Sequence, residues 1–511
     1  MYIWSVGSSA HIMTNSRMRR EDTAELTLHS GRNMAVCGQV VLRDVVDFSI
    51  SGITMEAPTG VDASAQLVET VLFNDGVPYP DILSEKTEKA VRAHTAQSIW
   101  VTLRVAADAT PAAYRVPVTA HTSIGDFTVV WTLVVHKAAL PKPADSDFGH
   151  EYFFNLHLAP YFDLPRYSEA WWALMKQIAE TMKDLRVNSL SLPLVSLLCD
   201  GGSKRIAPDR WAFDFSKVDE FISFFLTHGS FRQLTPSALL TSVTGLHLNL
   251  IDENGHTAEI DSMSPESEAW LSAYAPAVYK HFKEMGWLSM LCLRLEDEPH
   301  TKEYWLWLRE RMRTYMPGVP CGEPIDTHEV GRELGGACDQ YVPRLEVYEQ
   351  GMDFYKTRQA AGDTVWVYSC CFPEDPWYLN KFIDLPHAYS RMMAWACFSQ
   401  GITGFLHWGF NYWGGSMYGL SPESRFKGDG FIVYPNAEAG RLNLSVRGAE
   451  TRDGLQDREL LHMLAAVSPA SALSISRRVA VSFSDFTYDP TGRLLDAARA
   501  EVLTLLDGCG E

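Results

Sequence analysis

The hydrophobic period of the chain changes once, at Leu140-Pro141-Lys142-Pro143, and that change limits the fold more than any other feature. Before it, short runs alternate apolar with polar residues between Gly, Asp and Asn breaks, as in Gln39 to Met55, Ser98 to Val105 and Phe127 to His136. Alternation of this kind buries one face of a strand. Several such strands, with no long segment of helical period, predict an antiparallel β-sandwich. The prolines that follow predict a stiff linker.

Beyond the linker, strand and helix patterns take turns. Tyr152 to Leu158 reads as a strand, and Tyr167, Trp171, Leu174, Met175, Ile178, Met182 and Leu185 then share one face of a helix. Asn188 to Leu194 predicts a strand, Val218 to Leu226 a helix and Ala238 to Ser242 a strand. Asn254-Gly255 predicts a hairpin, and Ser264-Pro265 starts a helix with Pro276 as a kink. Leu288 to Leu295 predicts a strand, and a helix follows from about Thr301 to Met316. Short strands near Val319 and from Asp339 to Val342 precede a helix from Tyr348 to Ala361. Thr364 to Cys370 (strand), Leu385 to Gln400 (helix) and Gly404 to Gly409 (strand) complete the series. That makes about eight strand–helix units over about 260 residues, the size of a (β/α)8 barrel. The expected fold class is therefore α/β: a TIM-like barrel over residues 144–415, an N-terminal antiparallel β-sandwich over 1–143, and a C-terminal extension over 416–511 that completes the barrel.

Composition narrows the partners. The 511 residues carry 63 acids against 44 Lys and Arg, a formal charge of -19, so the surface repels phosphate backbones and no nucleic acid partner is expected. No apolar run approaches the roughly 18 residues of a membrane span; Val129 to Leu140 is shorter and carries His136 and Lys137. Met1 to Arg20 lacks the order of a secretory signal, and the 9 cysteines show no CxxC spacing, so a cytoplasmic protein with buried thiols is expected. Self-association is left open. Histidines without metal-ligand spacing, and Gly335-Gly336 and Gly414-Gly415 without a phosphate-loop context, predict neither a metal nor a cofactor.

In such a barrel, reactive side chains gather just after the strands. Leu293-Arg294-Leu295-Glu296-Asp297-Glu298-Pro299-His300 places three acids together after the fourth strand, where mutual repulsion and burial keep one carboxyl protonated near neutral pH. Asp297 and Glu298 are the catalytic candidates, against the alternative that one of them caps the helix begun by Pro299. Glu296 reads as a structural or solvent-facing charge. Gly404 to Trp413 supplies aromatic platforms that suit the apolar face of a sugar ring, with Trp408, Asn411 and Trp413 as ligand candidates and Phe405 and Phe410 as core. After the seventh strand, Tyr368 to Trp377 includes Cys370-Cys371, with no base placed near them, and Glu374, a second candidate carboxylate.

These residues resemble glycoside hydrolase family 123, which is built from a β-sandwich, a (β/α)8 barrel and a C-terminal region. The resemblance rests on Glu284-Met285-Gly286-Trp287, Asp297-Glu298-Pro299 and Gly404-Phe405-Leu406-His407-Trp408-Gly409. It continues through Gly428-Asp429-Gly430, Tyr434-Pro435, Ser445-Val446-Arg447 and Arg452-Asp453-Gly454-Leu455-Gln456-Asp457. It departs at Pro111-Ala112-Ala113-Tyr114-Arg115-Val116, where relatives carry glycines, and at Arg458-Glu459-Leu460-Leu461, where aromatics are usual.

The resemblance implies an exo-acting β-N-acetylgalactosaminidase whose partner is a β-N-acetylgalactosaminide glycoside or oligosaccharide. It implies a retaining reaction in which the substrate's own 2-acetamido group attacks the anomeric carbon, with Asp297 ionised to orient that group and Glu298 as acid/base. His407 belongs to the matched motif and joins the substrate-binding candidates. A tyrosine commonly holds the acetamido carbonyl in such sites, and Tyr348, Tyr368 and Tyr412 all qualify. Asp453 and Asp457, one helical turn apart, call for Arg447 or Arg452 between them as a structural clasp. Two other readings stay open: a two-carboxylate glycosidase with Glu374 as nucleophile, and a carbohydrate-binding protein without turnover.

Overall fold

The computed structural model describes residues 1–240, 246–300 and 302–508. Its N-terminal part contains two five-stranded sheets. One runs in the order Tyr2–Gly7, Met34–Arg43, Ala96–Val105, Val61–Leu72, Pro78–Ser84; the other runs Thr27–Arg32, Gly125–Ala139, Ala112–Thr122, Phe48–Met55, Lys89–Val91. All pairs are antiparallel except Thr27–Arg32 with Gly125–Ala139, which run parallel. Val36, Val40, Leu42, Ile99, Val101 and Leu103 of the first sheet join Val116, Val118, Trp131 and Leu133 of the second in one core.

Gln39 to Met55 is two strands, not one. Met34–Arg43 is buried on both faces, because the helix Val446–Val467 covers the side away from the core and packs Val446 and Ala449 against Cys37 and Trp100. Period-two alternation therefore fails for that strand: it has no wet face. Pro111 to Val116 leads into the strand Ala112–Thr122 with no residue at positive φ, so glycine is not needed there.

The rest is mixed α/β with parallel pairing. Gln233–Pro236, Ser189–Leu192, Gly149–Tyr152, Gly404–His407 and Val367–Ser369 form one sheet in that order, and Gly322–Ile325, Gln340–Pro343 and Thr364–Val365 form another. Single parallel bridges, Leu234 to Leu291, Leu293 to Cys321 and Arg344 to Tyr368, continue the pairing from one sheet to the next. The strand expected at Tyr152 to Leu158 lies earlier, at Gly149–Tyr152, and Leu288–Met290 is a short 3-10 turn ahead of the bridging residues. Gln233–Pro236 replaces the strand expected at Ala238 to Ser242; Thr241 and Ser242 lie outside the described residues, as do Thr301 and Cys509. Gly149 and Gly404 lie against the Trp366 ring so closely that an added Cβ would fall 1.9 and 2.3 Å from its atoms. Only glycine fits against that indole at either position.

Helix Glu169–Asp184 starts at Ser168, whose side chain accepts the Trp171 N–H, and buries Trp171, Leu174, Met175, Ile178 and Met182 as its period requires; Tyr167 precedes it at positive φ. The helix Pro265–Glu284 continues through Pro276.

Helix Val446–Val467 carries the charged C-terminal motif into the interior. Arg447 donates Nε to Asp81 (3.0 Å) and its other donors to the carbonyls of Lys381, Gly428 and Phe431, while Tyr434 donates to the same carboxylate (2.5 Å). The expected clasp differs in its partners. Arg452 pairs with Asp184 (2.9 Å) and Asp453 (3.2 Å), whereas Arg499, from the helix Arg493–Gly508, bonds Asp457 and approaches Asp453 (3.8 Å); Arg391 also holds Asp457 (2.7 Å). Neither Arg447 nor Arg452 bridges the two acids, because the cation between them comes from a distant helix.

Replacing Arg447 by Met leaves Asp81 buried without its cation, so unfolding free energy should fall by about 3–5 kcal/mol. Urea denaturation of R447M and of D81N/R447M checks this: the double variant should recover part of the loss, and equal loss in both would remove the pair's role.

Candidate active site

The loop after Leu295 brings the acids together. Glu323 is fully enclosed, and its carboxyl accepts the backbone N–H of Leu295 (2.5 Å) and Glu296 (3.4 Å), which fixes the chain just before the pair. Burial pushes its pKa up to about 8. Glu298 sits at φ 56, a left-handed conformation costing a non-glycine residue roughly 1–3 kcal/mol. His300 steadies it by donating Nδ1–H to the Glu298 carbonyl (2.7 Å).

Each acid of the pair has its own surroundings. Tyr368 donates its hydroxyl to Glu298 Oε1. Burial raises the pKa of Glu298; that hydrogen bond opposes the rise, and the charges of Asp297 and Asp326 add to it. Asp297 is also raised, by burial first, with Arg294 opposing and Glu151 and Asp326 reinforcing. Both carboxyls thus shift upward, whereas repulsion alone predicts one ionised and one protonated partner: withdrawal from water acts on each before the neighbour does. Arg294, whose charge acts on Asp297, pairs with Glu151 (3.2 Å), which also accepts from Ser189 (3.0 Å), and the guanidinium lies over the Phe153 ring (4.6 Å). Arg294 Nε has no partner among the described residues.

Glu296 is not solvent-facing. It is 0% exposed, with neither oxygen hydrogen-bonded among the described residues, and burial lifts its pKa from 4.5 to about 7.

The remaining candidates divide. Trp408 is half-buried, donates Nε1–H to Asp429 (2.8 Å) and packs against Tyr412 and Tyr418. Tyr412 lies close enough to Asp297 and Arg294 for their charges to act on it; burial first, and Asp297 second, push its hydroxyl to about 12. Of the three tyrosines, Tyr368 and Tyr412 adjoin the acids. Tyr348 is enclosed elsewhere, packed against Tyr355 and Phe483. Asn411 spends its amide on both backbone groups of Asn155 (2.8 Å each), Trp413 donates to the Val433 carbonyl (2.7 Å) between Tyr161 and Phe162, and His407 faces the Ser369 and Asp429 carbonyls with its pKa lowered by burial to about 3. These three brace the loops. Glu374 is held by Arg425 (2.7 and 3.0 Å) on an outer loop.

Sequence reading missed Glu151, Arg294, Glu323 and Asp326. A single acid inside an apolar run, as in Cys321-Gly322-Glu323-Pro324-Ile325, was the available signal. Among the described residues, no three His, Cys, Asp or Glu side chains group as a metal site. No described helix is long and apolar enough to cross a membrane.

Paired acids after a parallel strand suit the chemistry of a glycoside hydrolase. The Glycoside hydrolase 123 catalytic domain matches residues 155–464, more than half of the chain, which therefore belongs to glycoside hydrolase family 123. A family 123 glycoside hydrolase from Clostridium perfringens, studied for glycolipid glycan hydrolysis, is similar in fold: TM-score 0.79 and 13% identity over 99% of this chain and 98% of that one. The endo-β-1,4-mannanase of Thermotoga petrophila is far less similar, with TM-score 0.36 and 12% identity over 62% of this chain and 78% of that one. No curated protein sequence matches the chain.

The raised pKa of Glu296 makes folding less favourable as pH climbs. Its ordinary value is 4.5 and its folded value about 7, so the folded state is favoured most below 4.5 and loses that advantage as pH rises through 7. Glu296→Gln removes the titration. Its stability relative to the parent should rise by about 3 kcal/mol between pH 4.5 and 8, measured by urea unfolding; a constant difference would refute the burial of an ionisable Glu296.

Proposed function

We propose that this hydrolase releases β-linked N-acetylgalactosamine from the non-reducing end of glycans, with retention, using the substrate's 2-acetamido group as nucleophile. The observation that carries the reading is a pair of adjacent acids in unlike surroundings, Asp297 in the field of the Arg294 cation and Glu298 on the Tyr368 hydroxyl. Two environments suit two roles. Asp297, favoured as the anion by Arg294, accepts the acetamido N–H and balances the positive charge that grows as the acetamido oxygen bonds to the anomeric carbon. Glu298 gives its proton to the leaving oxygen as that bond breaks. The resulting carboxylate takes a proton from the water that attacks the anomeric carbon and reopens the ring. Tyr368 gives its one hydroxyl hydrogen to Glu298, which leaves Tyr412 to hold the acetamido carbonyl, and Trp408 backs the sugar ring.

The parallel pairs and bridges, followed from Gly149–Tyr152 through Gly404–His407, support reading the strands as a (β/α)8 barrel, with the acids at the carboxyl ends. The barrel over 144–415, the sandwich over 1–143 and the extension over 416–511 are the units we assign. The tie between Glu374 and Arg425 weighs against Glu374 as a nucleophile.

Nitrophenyl β-N-acetylgalactosaminide should be cleaved, and the matching galactoside, which lacks the acetamido group, should not. Glu298→Gln should lower kcat by about 10²–10⁴, and Asp297→Asn by about 10²–10³. Cleavage of the galactoside at a comparable rate, or full activity in Glu298→Gln, would overturn the mechanism. Tyr368→Phe removes a bond that lowers the Glu298 pKa, so the alkaline limb of the kcat/KM profile should move to higher pH; a shift to lower pH would contradict the assignment.

A further inference from the structure

A row of aromatic rings leads away from the acids. Tyr412, near enough to Asp297 to feel its charge, is 5.1 Å from Trp408 between ring centroids; Trp408 is 5.4 Å from Tyr418, Tyr418 is 5.5 Å from Phe426, and Phe426 is 6.2 Å from Phe372. The row ends in the open: Phe372 is 44% exposed. Arg344 places its guanidinium 5.2 Å from the Phe372 centroid and bridges in parallel to Tyr368, the residue bonded to Glu298. Phe372 therefore lies on the Glu298 side of the pair.

Its loop is braced. Asn380 donates to the carbonyls of Cys370 and Pro373 (3.0 Å each), and Glu374 is tied to Arg425 across the gap to the neighbouring loop. Farther along the same loop stands Trp377, 74% exposed, with its backbone N–H held by Asp375 (2.9 Å). Single exposed apolar residues are ordinary on a protein surface. Here Phe372 ends a row of rings that runs from Tyr412, and Trp377 stands on the same anchored loop. An aromatic platform already held in place loses little freedom when a ligand settles on it, so more of the contact energy appears as affinity.

We propose that Phe372, held by Arg344, is the platform for the sugar on the leaving-group side, a second pyranose whose apolar face rests on the ring, with Trp377 extending the surface toward the rest of the glycan. The inference depends on Glu298 being the acid, because the group that protonates the leaving oxygen faces the leaving sugar. It makes the enzyme selective for oligosaccharide chains over simple glycosides.

The test compares β-N-acetylgalactosaminyl fluoride, which has no sugar beyond the bond, with a disaccharide in which β-linked N-acetylgalactosamine precedes galactose. In Phe372→Ala the ratio of kcat/KM for disaccharide to that for fluoride should fall tenfold or more, and Phe372→Tyr should restore it to within twofold. Trp377→Ala should lower the same ratio severalfold for a trisaccharide carrying one more sugar beyond galactose. An unchanged ratio in Phe372→Ala, or an equal fall for both substrates, overturns the platform. If the parent enzyme cleaves neither substrate, the proposed reaction is what fails. Calorimetry with the disaccharide on Glu298→Gln then decides the platform separately: Kd should rise tenfold when Phe372→Ala is added, and an unchanged Kd refutes it.

Discussion

The ion pair between Arg294 and Glu151 is the interaction on which the carboxyl cluster depends. Glu296, Asp297, Glu298, Glu323 and Asp326 all lie around one turn of chain, and withdrawing that many acids from water is costly unless a cation is enclosed with them. Arg294 is that cation for Asp297 and Glu323, as Arg344 is for Glu298. The Arg294 guanidinium is fixed by Glu151 on one side and the Phe153 ring on another, and Glu151 is fixed in turn by Ser189. Arg294 opposes the rise that burial imposes on Asp297, while Glu298, farther along the chain and bonded to Tyr368, feels a different balance. The difference between the two acids is thus built into the floor beneath them.

A second set of buried charges joins the parts of the molecule. Helix Val446–Val467 lies against the outer face of one N-terminal sheet, and Arg447, Arg452 and Asp457 reach Asp81, Asp184 and Arg391 from it. Arg447 also holds the carbonyls of Gly428 and Phe431, next to Asp429, which receives the Trp408 indole N–H. The charged C-terminal motif therefore lies away from Asp297 and Glu298, yet it holds the loop that carries the acceptor of the Trp408 indole. Rigid support of this kind keeps a site within the small tolerances that catalysis requires.

Reading the chain without coordinates worked where chemistry is local. Three neighbouring acids after an apolar run, and aromatic residues after another, are legible from spacing alone, and the strand–helix alternation after Pro143 locates most of the elements. It cannot show a partner that lies far along the chain. Asn411, Trp413 and His407 follow a strand as ligands would, but Asn155, Val433 and the Ser369 and Asp429 carbonyls claim their polar atoms. Glu296 looks like a surface charge in the string of residues and is enclosed in the fold. Met34–Arg43 lost its expected alternation because a helix some four hundred residues later covers its second face.

What the sequence alone determined is the set of local preferences: a β-rich start, strands alternating with helices after the prolines, and a run of acids at a turn. Those follow from side-chain period and backbone geometry, which act over a few residues. Only the tertiary structure decided which acid feels the Arg294 charge and which bonds Tyr368, which aromatic rings form a row and which brace loops, and which cation answers Asp453 and Asp457. Hydrogen bonds and ion pairs act over a few ångströms, and the partners they join here lie up to hundreds of residues apart in the chain, so only folding brings them within reach.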